Sequence, residues 1–448
     1  MQSPTTTRDE LLTLVRLAWP ISLAQFGLVA MGLVDTAILG RVSTDHLAGA
    51  SMGRAIVFAL NSLGIGIAAA IEPLASQAIG AGEKEGAWAA LRTTLRACLM
   101  LWAPLVLTGL AATYLLGPLG VEAHVVELAR AYVLGNAPGV LAFCAFLAGR
   151  NFLQAHGTTR PIVVASVVAN AINLVVSVPL VGGDDFLVRM GLPAIGLPGL
   201  GALGAGLGTS IASFVLAAVV FAAARAERPS RPVEPVAMRR VLGLGLPVGL
   251  QILAESGVFT VVALISGALG ARTASAHQVA IGLASFTFMG ALGVASATAV
   301  RVGHAIGAGK SPRLPGMLGM CLGGAVMTVG GLAFALFPRQ LARLFTDDPE
   351  VIEAAAGLLR IAAVFQLADG VQAVGAGALR GAGDVRFSFA ANVGAYWLVA
   401  LPLALFLGFG LDLGAKGLWW GLTVGVLAIA LLLPSRFAAI TRREIARV

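Results

Sequence analysis

Charge is scarce in this sequence. Asp, Glu, Lys and Arg make up 12% of its 448 residues, about half the share of a soluble domain, too few to clothe a water-facing surface. Histidine is sparser still: His46, His124, His156, His277 and His304 are scattered, with no HExxH and no pair at i, i+4, so no zinc-hydrolase signature is present. Cys98, Cys144 and Cys321 are an odd number without a spacing pattern, which argues against a disulfide framework and a thiolate metal site. Each lies in or beside an apolar run, where a thiol reads as a small buried hydrophobe. GHAIGAGKS approaches a phosphate loop, but GxxxxGK[ST] needs glycine where His304 stands, which argues against an ATP-driven pump. The adjacent acids Asp184 with Asp185 and Asp347 with Asp348 fall in expected external loops without a second motif, leaving an intramembrane transferase as a weak alternative. The polar start, Met1 to Arg16, lacks the basic region, short apolar run and small-residue cleavage site of a signal peptide. The first apolar run is therefore expected to be a retained helix.

What the chain has is apolar length. Hydrophobic residues make up 58%, mean hydropathy is +0.90, and uncharged runs recur at about the length that crosses a bilayer of roughly 30 Å. The 57 glycines suit helices that approach closely in lipid. Runs lie near 14–39, 55–80, 97–118, 131–149, 161–181 and 196–224, then near 241–269, 277–300, 315–338, 354–379, 388–410 and 417–435. The expected fold is an all-α polytopic membrane protein of about twelve transmembrane helices. The Pro-rich stretch 225–240, RAERPSRPVEPVAMRR, divides it into a six-helix lobe 1–224, a cytoplasmic linker 225–240 and a second lobe 241–448.

A pI near 10.2 would suit nucleic acid if the basic residues formed a stripe, but they sit in short loops. With the N-terminus inside, 21 of the 30 Lys and Arg fall on the inner side; the positive-inside rule then places both termini in the cytoplasm.

The halves repeat. AIGAG at 78–82 recurs at 305–309, and the same offset of 227 carries Pro20 to Pro247. NLVVSVPL at 173–180 parallels YWLVALPL at 396–403 with a slightly smaller offset. Because six is even, the copies enter from the same side, as parallel repeats.

An acid at mid-bilayer costs roughly 2.5–3.5 kcal/mol even on the lenient insertion scale, so each needs a compensating role. Glu255 and Asp369 fall halfway along the seventh and tenth runs, where an ion or cationic-substrate site competes with a structural contact to Gln251, Gln366 or Gln372. Asp35 lies nearer the external end of the first run. Glu72, beside Pro73, suits an interfacial anchor. Asn170, Asn173 and Ser177 share a face of the fifth run, and Thr209 adds a hydroxyl in the sixth; interhelical hydrogen bonds account for these equally well.

MGLVDTAILG, PLASQAIGAGE, LAESGVFTVVALISGALG, AHQVA, VRVGHAIGAG and ADGVQAVGAGALRGAGD together resemble the multidrug and toxic compound extrusion (MATE) family, in particular its NorM-type branch, over essentially the whole chain. The resemblance implies two pseudo-symmetric six-helix bundles forming a V around a central cavity. It implies a monomeric exporter in the bacterial inner membrane that antiports amphipathic, often cationic compounds against inward Na+ or H+, without a cofactor. It assigns Asp35, Asn173 and Thr209 to a cation site in the first lobe, and Glu255 and Asp369 to a second site where Na+ would bind. Gln278 takes a cavity-facing position; Asp35, Glu255, Gln278 and Asp369 would line the substrate cavity. Two departures stand out: Ser177 replaces a second acid found in some members, and Phe365 replaces a tyrosine one turn before Asp369. A lipid or oligosaccharide-lipid flippase is the rival within transport; it would favour a basic cavity, and the acids point the other way.

Overall fold

The computed structural model describes residues 6–189, 191, 193–194, 196–230 and 233–448. Among them twelve helices are long and apolar enough to cross a membrane, and no strand occurs. They are α1 (Thr7–Leu39), α2 (Thr44–Gly80), α3 (Lys84–Thr113), α4 (Ala123–Ala155), α5 (Arg160–Arg189), α6 (Gly201–Glu227), α7 (Met238–Ala268), α8 (Ala271–Gly307), α9 (Arg313–Leu336), α10 (Pro349–Gly381), α11 (Val385–Gly410) and α12 (Gly414–Ile440).

Several helices outrun their apolar stretches because polar residues cap them. α2 begins at Thr44 rather than near 55: the Ser43 hydroxyl accepts from the His46 N–H at 3.1 Å, satisfying a donor the first turn leaves free. The extra turns draw Arg54 into the helix. α2 is itself broken at Ala70, leaving Ile71–Gly80 as a separate segment. α5 continues past 181 to Arg189 across a break at Gly183, whose φ of +61° suits glycine and whose missing side chain lets Leu197 and Gly199 pass close by. In α11, π-helical turns at Gly394–Ala400 and Phe406–Gly410 flank Pro402. A proline removes one helical donor and crowds the preceding turn, and a widened turn accommodates that.

The chain divides into two compact units. One holds Ala24–Ile71 and Glu83–Gly249; the other holds Met1–Leu23, Glu72–Gly82 and Leu250–Val448. In the first unit α4 is the hub, packed on α2, α3 and α6; in the second α10 takes that place against α8, α9 and α12. These are equivalent helices of the repeat, and they are the most buried of the twelve, with 67% and 61% of their most apolar stretch inside the protein. Small residues permit the approach. The Ser210 hydroxyl on α6 donates to the Gly135 carbonyl (2.7 Å) and accepts from the Gly139 N–H (3.0 Å), while Gly377 and Gly381 of α10 lie against the α8 backbone at Ala295 and Ala299.

Buried ion pairs close the second unit. Arg301 holds Glu10 through two bonds of 2.7 Å. Arg380 holds Glu72, which also accepts from Ser296 (3.3 Å), so Glu72 anchors its short segment against α8 and α10. Cys98 and Cys144 are buried thiols as expected, whereas Cys321 is exposed on α9, where lipid rather than protein is its natural neighbour.

Candidate functional site

Among the described residues, each unit gathers polar side chains around carboxylates carried by its helices. In the first, Asp35 near the end of α1 is 2% exposed. Thr209 of α6 donates to its Oδ2 at 2.8 Å and Ser177 of α5 to its Oδ1 at 3.3 Å. The Asn173 amide nitrogen donates to Ser177 Oγ at 3.2 Å, so three helices converge on one carboxylate. Their positions follow from helical period, since Asn173 and Ser177 lie one turn apart. Asn170 turns elsewhere and donates to the α1 backbone at Gly27 (2.9 Å). Ser177, the departure from an acidic position, links Asn173 to Asp35. The Asn173 carbonyl oxygen is buried and has no hydrogen-bond partner among the described residues.

In the second unit Glu255 of α7 and Asp369 of α10 are electrostatic neighbours. Gln372, one turn beyond Asp369, donates to its Oδ1 at 3.1 Å and also interacts with Glu255. The Tyr396 hydroxyl, from the π-helical turn of α11, donates to Glu255 Oε1 at 3.4 Å. Gln372 Oε1, like Asn173 Oδ1, is buried and unpartnered among the described residues. Gln251 and Gln366 bond instead to Ser388 and Thr287. Phe365 packs edge-on against Trp419 (6.0 Å) and Phe259 (6.3 Å), so Tyr396 supplies a hydroxyl that position 365 does not. Gln278 is exposed on α8 and makes no hydrogen bond to either acid among the described residues.

Three participants escaped the sequence reading. Tyr396 was signalled by the repeat, because it is the residue aligned with Asn173. Arg54 was hidden by the polar first turns of α2; its Nη1 donates to the Gly32 carbonyl (3.0 Å) and to Thr36 Oγ1 (2.9 Å), beside Asp35. Tyr132, 3% exposed on α4, lies against Arg54 and Thr209.

Comparison with known families finds the MatE family model matching residues 20–178 and again 247–406, one match in each half at the offset of the internal repeat. The chain belongs to the MatE family. This MatE protein is 36% identical to a probable multidrug resistance protein NorM of Deinococcus radiodurans over 99% of its own length and 98% of the relative's. It is 34% identical to a NorM protein of Bradyrhizobium diazoefficiens, covering 97% and 94% of the two chains. It also shares the fold of the eukaryotic MATE transporter AtDTX14 (TM-score 0.84, 22% identity, 98% and 100% covered). The same holds for a multidrug resistance MATE family transporter solved in an outward-facing conformation (TM-score 0.84, 19% identity, 99% of each chain covered).

Each cluster brings carboxylate, hydroxyl and amide oxygens close together within its unit.

Proposed function

We propose that this MatE protein is a secondary active exporter that antiports amphipathic, often cationic small molecules outward against inward Na+ or H+. Its membrane is the bacterial inner membrane, with both termini in the cytoplasm. The observation that carries the reading is the Glu255–Asp369 pair. Two acids that sense each other's charge in low dielectric do not both stay ionised and bare; one holds a proton, or the pair holds a cation. A cationic compound and the coupling ion then compete for one charge, and that competition ties export of the first to entry of the second. The unpartnered Gln372 oxygen and the Tyr396 hydroxyl supply further ligands for Na+ at Glu255 and Asp369. The naming of the relatives as multidrug resistance proteins supports the broad substrate class.

The test is efflux from proteoliposomes under separately imposed Na+ and H+ gradients, with Glu255→Gln, Asp369→Asn and the double variant. Amides keep size and hydrogen bonding while removing charge. Gradient-driven export is expected to fall to background in all three with normal folding, and binding of cationic compounds to weaken more than that of neutral ones. Full export by the double variant would sink the coupling role.

A further inference from the structure

Arg54 is a formal positive charge on the third turn of α2, within a helix apolar enough to span a membrane. A guanidinium inside a spanning helix is costly to keep, so its retention needs a partner. Among the described residues no ion pair within 4 Å engages it. Its Nη1 is held by Gly32 O and Thr36 Oγ1, which bracket Asp35 along α1, and the Asp35 carboxylate lies within its electrostatic reach. Its Nη2 is buried without a hydrogen-bond partner among the described residues. The guanidinium is thus fastened beside the acid rather than onto it, leaving both Asp35 oxygens to Thr209 and Ser177.

We propose that Arg54 is the built-in counter-cation of Asp35, balancing the first unit's cluster from within and keeping sodium and organic cations out of it. Among the described residues the Glu255–Asp369 pair has no such arginine as a hydrogen-bond partner, and an external cation is drawn there. The physical reason is charge. With Arg54 present, an added sodium or organic cation at Asp35 meets a fixed like charge in low dielectric; with a neutral residue at position 54 that repulsion is gone, and an ionised Asp35 attracts a cation from solution. The proposal deepens the exporter reading and rests on it for its significance, while its test reads binding alone.

The test uses the full chain in detergent with Glu255→Gln and Asp369→Asn as background, so that the second unit's charges are gone. The probes are radiolabelled sodium and radiolabelled tetraphenylphosphonium. With Arg54 intact, no saturable binding that depends on Asp35 is expected. Adding Arg54→Gln should raise the affinity for at least one probe by about tenfold or more, and adding Asp35→Asn should abolish the gain. Arg54→Lys, which keeps the charge, should not produce it. A merely structural arginine would lower stability without creating an Asp35-dependent site. Should Arg54→Gln alone not fold, the double neutral variant Arg54→Gln with Asp35→Asn decides: mutual compensation requires it to melt above the less stable single. Asp35-dependent binding with Arg54 intact, a folded Arg54→Gln protein with no gain, or a double variant melting below both singles overturns the proposal. Failure of wild-type export in vesicles would instead strike the exporter reading and leave this binding result standing.

Discussion

Breaking the Glu10–Arg301 pair should destabilise the second unit sharply. Arg301 Nε and Nη2 bond separate oxygens of Glu10, both at 2.7 Å, and the side chains are only 8% and 3% exposed, so neither charge has water to fall back on. Removing one partner leaves the other buried and uncompensated, a loss of about 3–5 kcal/mol. For a unit of this size, 3 kcal/mol corresponds to roughly 6–12 °C in the melting midpoint. Glu10→Gln and Arg301→Gln should each show it, and Arg301→Lys should lose about 1.5–3 kcal/mol because a point charge does not serve both oxygens. Replacing both by methionine should recover most of the loss, since the penalty comes from the orphaned charge. Fluorescence-detected size-exclusion melting in detergent reads all five proteins including wild type. Single amide variants that melt with wild type would refute the reasoning, and so would a double variant melting below both singles.

Three further outcomes follow from other parts of the chain. Cysteines replacing Asp185 and Ser230, both exposed, in a variant lacking Cys98, Cys144 and Cys321 should label from outside and inside respectively; the reverse pattern would overturn the orientation given above, and labelling from one side would break the span count. Tyr396→Phe removes the hydroxyl from Glu255 and keeps the aromatic contact with Phe259, so export should fall about 5- to 10-fold at unchanged stability; unaltered export would leave the hydroxyl without a role. Burial pushes the His156 imidazole below its ordinary value of 6.5, partly opposed by the Phe152 carbonyl and Glu227 and assisted by Lys84. The neutral ring is the form the fold favours, so its stability contribution is present above 6.5 and is lost as pH falls through the lowered value. His156→Gln should flatten the acid side of a melting profile taken from pH 8 to 5, and an unchanged acid slope would dismiss the effect.

The span count and the repeat were legible because both are written in long patterns: apolar length in twelve runs, and AIGAG and Pro20 returning at 227. The intramembrane acids were legible because a carboxylate in an apolar run needs a reason. Their partners were less so. Asn173 and Thr209 were expected beside Asp35 only through the family resemblance, since a lone amide or hydroxyl in a helix signals nothing by itself. Tyr396 lay in a motif already aligned with Asn173, yet the alignment matches an amide to a phenol, and only the fold shows that both bear on an acid. Arg54 stood outside its apolar run: a run that starts at its first uncharged residue excludes the polar turns that cap the helix, and Ser43 caps this one eleven residues before Arg54. The role of Glu72 required knowing that α10 brings Arg380 to it, a contact 308 positions away in the chain that no local pattern encodes.

The two buried carboxylates Glu10 and Glu72 also bear on how the chain is made. Proteins emerge from synthesis N-terminus first, and the unit formed by residues 24–71 and 83–249 has all its helices once residue 249 has been added. The segments carrying Glu10 and Glu72 belong to the other unit, and their arginines, Arg301 and Arg380, come much later. Through that interval two acids destined for burial have no partner and must stay near water at the membrane surface. The residues from Thr7 to Leu23 are therefore among the last to reach their final places, and a ribosome stalled just past residue 249 would leave that unit finished while two negative charges are still unclaimed.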